Sequence, residues 1–296
     1  MNAHQRDLAL KLVREMLPPE EFDKIQNHIN INDVGFGYDQ FGMEKESAIL
    51  AYALTRYAYK YWFRVQSTGH ENVPLSGRTL IVPNHSGVLP LDAVMIGIDL
   101  VYKLDKPRNM RAVVDNFMGF TPFLNTMMYR VGQVVGARRN FEDLLKKEEM
   151  VAVFPEGAKG TGKLFSHRYN LLKFNVGFIE LSIKYKTPIV PTAVIGGEEQ
   201  YPMIYNFKPL ARLTGFPYFP VTPFLPWLGL LGAIPLPVKY HIRYGEPIRF
   251  FEDYGPEVLN DPETVRMLAD KVQIIVQDMV NGGLAERRSI FGFGEE

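Results

Sequence analysis

The sequence predicts an α/β protein with a mainly parallel central sheet flanked by helices, preceded by an N-terminal helical segment. Three observations carry this. From residue 79 onwards, short β-branched runs alternate with helical stretches, the pattern of parallel strands joined by crossover helices. A chain of 296 residues with 46% hydrophobic side chains can build one substantial core. Before residue 65 the chain is polar and then aromatic, with no strand-like run. The expected organisation is a helical segment over 1–64 and an α/β domain over 65–296.

In chain order, an amphipathic opening (Leu8, Leu10, Leu12, Val13, Met16) stops at Pro18-Pro19. Residues 47–63 then read as a helix crowded with Tyr52, Tyr57, Tyr59, Tyr61, Trp62 and Phe63, with Arg56 and Lys60 among them. It is too short and too charged for a bilayer span, which takes ~20 apolar residues. Aromatics interleaved with basic residues suit a helix lying at a membrane surface. A helix packed on its own domain fits the same residues.

Strands are expected at 79–82, 111–114, 131–135, 150–154 and 188–194, and helices at 90–100, 116–129, 140–147 and 171–184. The last helix has Asp261 as N-cap, Pro262 in its first turn, and Val265, Leu268, Val272, Ile275 and Met279 on one face. Between Arg212 and Lys239 lies an uncharged stretch with six prolines, at 217, 220, 223, 226, 235 and 237. Prolines at that density forbid a regular spanning helix, so the stretch reads as a lipid-facing or substrate-facing loop, or as a cover over the core.

The charge balance, 33 basic against 33 acidic residues, and the absence of a compact Lys/Arg run argue against nucleic acid. With no cysteine, disulfides, thiolate metal sites and Cys nucleophiles are excluded. The first residues lack the basic-then-apolar pattern of a secretory signal, so the chain is expected in the cytoplasm.

The chemistry concentrates after the first expected strand, where Asn84 and His85 are followed by Asp92. A histidine and a carboxylate in a loop at the end of a buried strand can form a general base and its orienter, at the sheet edge where substrates commonly sit. A loop histidine beside an acid that merely complements the helix dipole is the competing reading. Downstream, Phe154-Pro155-Glu156-Gly157 follows an apolar run, and Arg138 and Arg139 follow a segment containing Gly132 and Gly136. Glu156 is expected to bond a substrate or anchor the site loops, and the two arginines can pair with an anion.

Two further patterns compete. A literal Asn-His-x4-Asp occurs at Asn27, His28 and Asp33, but follows a polar helical stretch rather than a strand. Gly157 to Lys163 fits the P-loop spacing, but Leu164 stands where magnesium needs a hydroxyl. Neither Gly-x-Ser-x-Gly nor His-Glu-x-x-His is present, and no metal site is expected.

Taken in order, Asn84-His85 with Asp92, the glycine-containing segment to Arg139, Phe154 to Gly157, and Ile189-Val190-Pro191 resemble the motifs of the glycerolipid and lysophospholipid acyltransferases, including lysophosphatidic acid acyltransferases. The resemblance covers roughly residues 65–250. It departs from the family in two places: six residues rather than four separate His85 from Asp92, and Ala158-Lys159 replaces the usual Thr-Arg.

The resemblance implies transfer of a fatty acyl group from acyl-CoA or acyl-ACP to a hydroxyl of a lysophospholipid or glyceride, with no cofactor. His85 and Asp92 would be catalytic; Arg138, Arg139, Glu156, Gly157 and Lys159 would bind the acceptor. The protein would associate with the cytoplasmic face of a membrane. A catalytically inactive lipid-binding relative and a P-loop nucleotide-binding protein are the alternatives.

Overall fold

The computed structural model describes residues 3–114 and 124–292. Among the described residues nine strands occur in chain order: β1 (Gln66–Thr68), β2 (Thr79–Pro83), β3 (Met110–Val114), β4 (Val134–Val135), β5 (Met150–Ala152), β6 (Ile189–Ile195), β7 (Tyr205–Asn206), β8 (Pro220–Val221) and β9 (His241–Tyr244). Seven form one sheet in the order β1-β9-β6-β2-β5-β3-β4, parallel throughout except for the β6–β9 pair. β7 and β8 form a separate antiparallel ribbon.

Twelve α-helices accompany them among the described residues. α1 (Ala3–Met16), α2 (Pro19–His28) and α3 (Lys45–Tyr57) precede the sheet. α4 (Leu91–Lys103), α5 (Leu124–Arg130), α6 (Arg138–Lys146), α7 (Ala158–Thr161) and α8 (Gly177–Tyr185) lie between its strands. α9 (Gly197–Gln200), α10 (Lys208–Thr214), α11 (Phe250–Asp253) and α12 (Pro262–Glu286) follow β6.

The sheet is buried on both faces, which is why β2 and β6 read as continuous apolar runs rather than alternating ones. On one face Ile81, Val190 and Val194 pack with Met95 and Ile96 of α4, and with Val13, Phe22, Ile25 and Ile49 of the N-terminal helices. On the other, Leu80, Val151 and Ala193 pack with Leu144, Phe178 and the apolar stripe of α12. The first three helices therefore share the sheet's core.

Four local expectations need correction. The aromatic helix runs as α3 and closes with a π-helical turn, Ala58–Trp62, burying Tyr52, Tyr59 and Phe63 while leaving Tyr57, Tyr61 and Trp62 exposed. The strand expected at 131–135 is confined to β4, because the chain turns at Gly132 with φ +97°. The helix expected from residue 171 begins only at Gly177. The backbone before it is extended because its amides find side-chain acceptors: Leu172 N–H donates to Glu156 (2.8 Å) and Phe174 N–H to Gln273 (3.0 Å). In α12 the fully buried stripe runs through Val272, Val276 and Val280, with Ile275 and Met279 only half-buried. Of the helix expected at 116–129, residues 116–123 lie outside the described residues, and α5 is its described end.

Asp261 caps α12 as expected, accepting from Glu263 N–H at 3.1 Å and Thr264 N–H at 3.3 Å. Adjacent glycines near the other end of α12 differ sharply. A Cβ on Gly283 would collide with Ile195 Cδ1 of β6, whereas one on Gly282 meets Arg243 Nη1 at an ordinary 3.4 Å. Gly283→Ala is expected to destabilise the fold by about 1–3 kcal/mol through overpacking. Gly282→Ala should be neutral or stabilise by up to about 1 kcal/mol through helix propensity. Urea unfolding of the two variants checks the contrast.

Candidate active site

The site forms where β2, β5 and β6 end. Asn84 is fully buried and joins β2 to β6 through two bonds: its Nδ2 donates to Val194 O (3.0 Å) and its Oδ1 accepts from Val194 N–H (2.7 Å). The strand end is thereby fixed, and the next residue, His85, projects from a rigid base.

His85 Nδ1 lies 2.7 Å from Asp92 Oδ2. The carboxylate can only accept, so Nδ1 carries the proton and Nε2 is the ring nitrogen left for a substrate. Asp92 is itself immobilised in the first turn of α4. Oδ2 also accepts from Ser86 N–H (2.9 Å) and Oδ1 from Ala93 N–H (2.8 Å), and the residue has no exposed surface. The six-residue spacing thus closes: the intervening arc turns at Gly87 with φ +76° and brings the two side chains together. The His85 ring packs on Phe154, with ring centroids 4.2 Å apart.

Glu156 supports this histidine from below. Its Oε1 accepts from His85 N–H (2.8 Å) and its Oε2 from Leu172 N–H (2.8 Å). Lys163 Nζ lies 3.2 Å from Glu156 Oε2 and 2.9 Å from Glu198 Oε1, in a buried row of two carboxylates around one ammonium. Burial opposes the lysine's charge, but Glu198 and Glu156 outweigh it and hold the ammonium above the usual lysine range. Burial pushes the Glu198 carboxyl upward, with Lys163 pulling the other way.

The P-loop alternative loses its central residue here, because the lysine at the phosphate-binding position is engaged by carboxylates. Gly160 lets α7 pass beneath the histidine: a Cβ there would stand 2.9 Å from His85 Cβ.

The other predicted residues are more dispersed. Gly157 adopts φ +63° at the turn into α7, and Lys159 on α7 is exposed. Arg138, in the first turn of α6, pairs with Glu180 (3.1 Å) and Glu142 (3.5 Å) and borders a cavity of about 280 Å³ lined by Phe154, Pro155, Phe178 and Leu181. Phe154 thus faces both this cavity and His85. Arg139 is 91% exposed and meets only Asp143, at 3.9 Å, among the ion pairs of the described residues.

The competing dyad does not assemble. His28 Nδ1 is at 2.8 Å from Lys24 O at the end of α2, while Asp33 Oδ1 accepts from the amides of Gly35, Phe36 and Gly37. Among the described residues no group of three or more His, Asp or Glu side chains is arranged to hold a metal.

Sequence reasoning missed the residues that grip the His85–Asp92 arc from outside. Tyr218 OH donates to Val88 O (2.6 Å) and Gln200 Nε2 to Leu89 O (3.2 Å). The only sequence cue was a polar Gly-Gly-Glu-Glu-Gln run directly after the most apolar strand. It forms α9, whose four residues are all buried.

A histidine hydrogen-bonded to a buried carboxylate at the C-terminal edge of a parallel sheet is the geometry of a candidate general base and its orienter in an α/β enzyme. The Acyltransferase family model matches residues 64–195, a span that contains His85, Asp92 and Glu156. The chain is 38% identical over 258 residues to the Mycobacterium tuberculosis protein Rv0502, covering 86% of this chain and 72% of that one. It is 40% identical over 256 residues to Mycobacterium leprae ML2427, covering 86% and 69%.

A chicken protein described as a DGAT1/2-independent enzyme synthesizing storage lipids is 26% identical over 212 residues, 71% of this chain and 58% of its own length. Among solved structures, the 1-acyl-sn-glycerophosphate acyltransferase PlsC of Thermotoga maritima shares the fold with a TM-score of 0.51 at 16% identity, over 96% of this chain and 97% of that one. The chain belongs to the acyltransferase family and is an acyltransferase.

Proposed function

We propose that the protein transfers a fatty acyl group from acyl-CoA or acyl-ACP to a hydroxyl of a lysophospholipid or glyceride. The observation that carries this reading is the 2.7 Å His85–Asp92 pair with Nε2 left free, inside the span matched by the family. His85 Nε2 takes the hydroxyl proton as the oxygen attacks the thioester carbonyl, forming the new C–O bond. Asp92 holds the tautomer and balances the imidazolium. The C–S bond then breaks, and the imidazolium returns the proton to the departing thiolate.

Arg138, Arg139 and Lys159 would be the cations that meet an anionic acceptor headgroup. Glu156 and Gly157 shape the floor of the site, Glu156 acting through His85 rather than on the substrate.

The protein associates with the cytoplasmic face of a membrane, where CoA and ACP thioesters are available. No helix among the described residues is long and apolar enough to cross a bilayer. The chain between α10 and β9 instead exposes Phe216, Trp227, Leu228, Leu231 and Ile234 on its surface. This apolar face is joined to the aromatic turn after α3 by a bond from Trp62 Nε1 to Pro235 O (3.0 Å). An exposed apolar face rimmed by tryptophans suits a lipid interface.

Thiol release from palmitoyl-CoA and palmitoyl-ACP, measured with lysophosphatidic acid, monoacylglycerol and diacylglycerol on vesicles, tests the reading. Release that depends on one of these acceptors is expected; its absence with all three and both donors would falsify it, and vesicle binding without release points to the lipid-binding alternative. Replacing Trp227 and Leu231 together by Ala should weaken partitioning onto vesicles by about tenfold or more, since each fully buried large apolar side chain contributes ~1.5–3 kcal/mol. Flotation on a density gradient checks it.

A further inference from the structure

The arc from His85 to Asp92 is held at its two middle carbonyls by residues that lie far away in the sequence. Val88 O accepts from Tyr218 OH at 2.6 Å, and Leu89 O from Gln200 Nε2 at 3.2 Å. Both donors belong to the excursion between β6 and β9 that carries the exposed apolar face. Tyr218 directly precedes Phe219, whose amide bonds Asn206 Oδ1 at 3.1 Å on the β7–β8 ribbon. The Tyr218 ring lies against Gly162, where an added Cβ would come to 2.8 Å from the ring.

Gln200 is equally fixed: its Oε1 accepts from Tyr240 OH (2.8 Å), and its backbone carbonyl accepts from Leu236 N–H (2.9 Å) at the end of the apolar stretch. Gly87 sits so close to Gln200 Nε2 that any Cβ there would clash. The arc is therefore clamped between its own turn and the base of the excursion.

A longer loop has more ways to misplace its ends than a shorter one, and each must be suppressed if His85 and Asp92 are to stay in contact. The internal bonds of the arc, Ser86 N–H to Asp92 and Leu91 N–H to Leu89 O, tie its first residue to its last and turn the chain into α4. Its middle depends on the two external donors.

We propose that Tyr218 and Gln200 are positioning residues for the His85–Asp92 pair. Through them the apolar excursion is a structural part of the catalytic arc as well as a lipid-facing surface. This assignment rests on the acyl-transfer reading for its kinetic consequence and on geometry alone for its structural one. Burial and the nearby Asp92 carboxylate push the Tyr218 phenol upward, so the hydroxyl keeps its proton and stays a donor through neutral pH.

Tyr218→Phe tests this while preserving the ring's packing on Gly162. Acyl transfer should lose roughly 10- to 100-fold in kcat, as expected when a catalytic pair is displaced by a fraction of an ångström to about one, with KM for donor and acceptor unchanged. The proton on His85 Nδ1, shared with Asp92, should be seen by NMR as a strongly downfield resonance. It is identified by its loss in His85→Ala, and it should broaden or vanish in Tyr218→Phe. Tyr205→Phe, which removes a hydroxyl from the exposed ribbon of the same excursion, should leave that resonance in place.

An unchanged resonance in Tyr218→Phe overturns the proposal, as does an unchanged kcat in an enzyme that transfers acyl groups. If the unmodified protein transfers to none of the acceptors, the acyl-transfer reading fails, while the resonance still decides the positioning role.

Discussion

His85→Ala is expected to lower acyl transfer by about 10²- to 10⁴-fold, the range a positioned general base supplies, while His28→Ala leaves the rate unchanged. The contrast follows from what each ring faces. His85 stands at the sheet edge with Nδ1 on the buried Asp92 and with Phe154 stacked beside it. His28 lies exposed at the end of α2, its Nδ1 beside the Lys24 carbonyl.

The loss in His85→Ala should fall on kcat rather than KM, because proton removal belongs to the transition state. Asp92→Asn should lower kcat too. An asparagine Nδ2 directed at Nδ1 can reverse the tautomer and place the proton on Nε2, where it can no longer accept from the substrate. Acceptor-dependent thiol release by the four proteins, with a thermal melt for each, is the measurement. Equal losses in His28→Ala and His85→Ala would sink the assignment of the dyad.

The His85–Asp92 pair was legible as a candidate because all of its determinants are local. A β-branched strand, a polar loop and a proline-started helix place His85 and Asp92 within one turn of chain, and alternation with helices announces the parallel sheet around them. The longer spacing obscured only whether the two side chains meet, which depends on the third dimension. Lys163 was visible as a glycine-flanked lysine, but its partner Glu198 arrives from the far end of β6, so the sequence pattern suggested a phosphate rather than a carboxylate.

Tyr218 and Gln200 were beyond reach for the same reason. They stand 130 and 111 residues from the carbonyls they hold, one in the Pro-rich stretch and the other in a polar run after β6. The edge strand β1 and its neighbour β9 also escaped notice. They are three and four residues long, and both run against the other strands of the sheet. The false helix start at residue 171 shows a related limit. Helical pattern cannot reveal that Glu156 and Gln273 will satisfy those amides in an extended path.

Lys163→Met should destabilise the fold by about 3–5 kcal/mol, the usual cost of leaving buried charge without its partner, and lower the melting temperature by on the order of 10 °C. The lysine is buried between Glu156 and Glu198, and methionine matches its length without its charge. Two carboxylates would then face each other with no cation between them. Since Glu156 also holds the His85 amide, the repulsion reaches the proposed general base, so activity should fall even well below the melting temperature.

The double variant Lys163→Met with Glu198→Gln removes one of the opposed charges and should recover a large part of the lost stability. A melt in the double variant as low as in Lys163→Met alone would mean that packing, not charge, is what the lysine provides. The wild-type pH dependence gives an independent check with a definite sign. Because the folded state holds the Lys163 ammonium above its ordinary range, the contribution is fully present below the unfolded lysine's pKa of ~10.5. It disappears as pH rises through the folded value above that. The stability of the wild type should therefore show no loss from Lys163 across neutral pH and lose this contribution only beyond about pH 10.5, as the lysine gives up its proton.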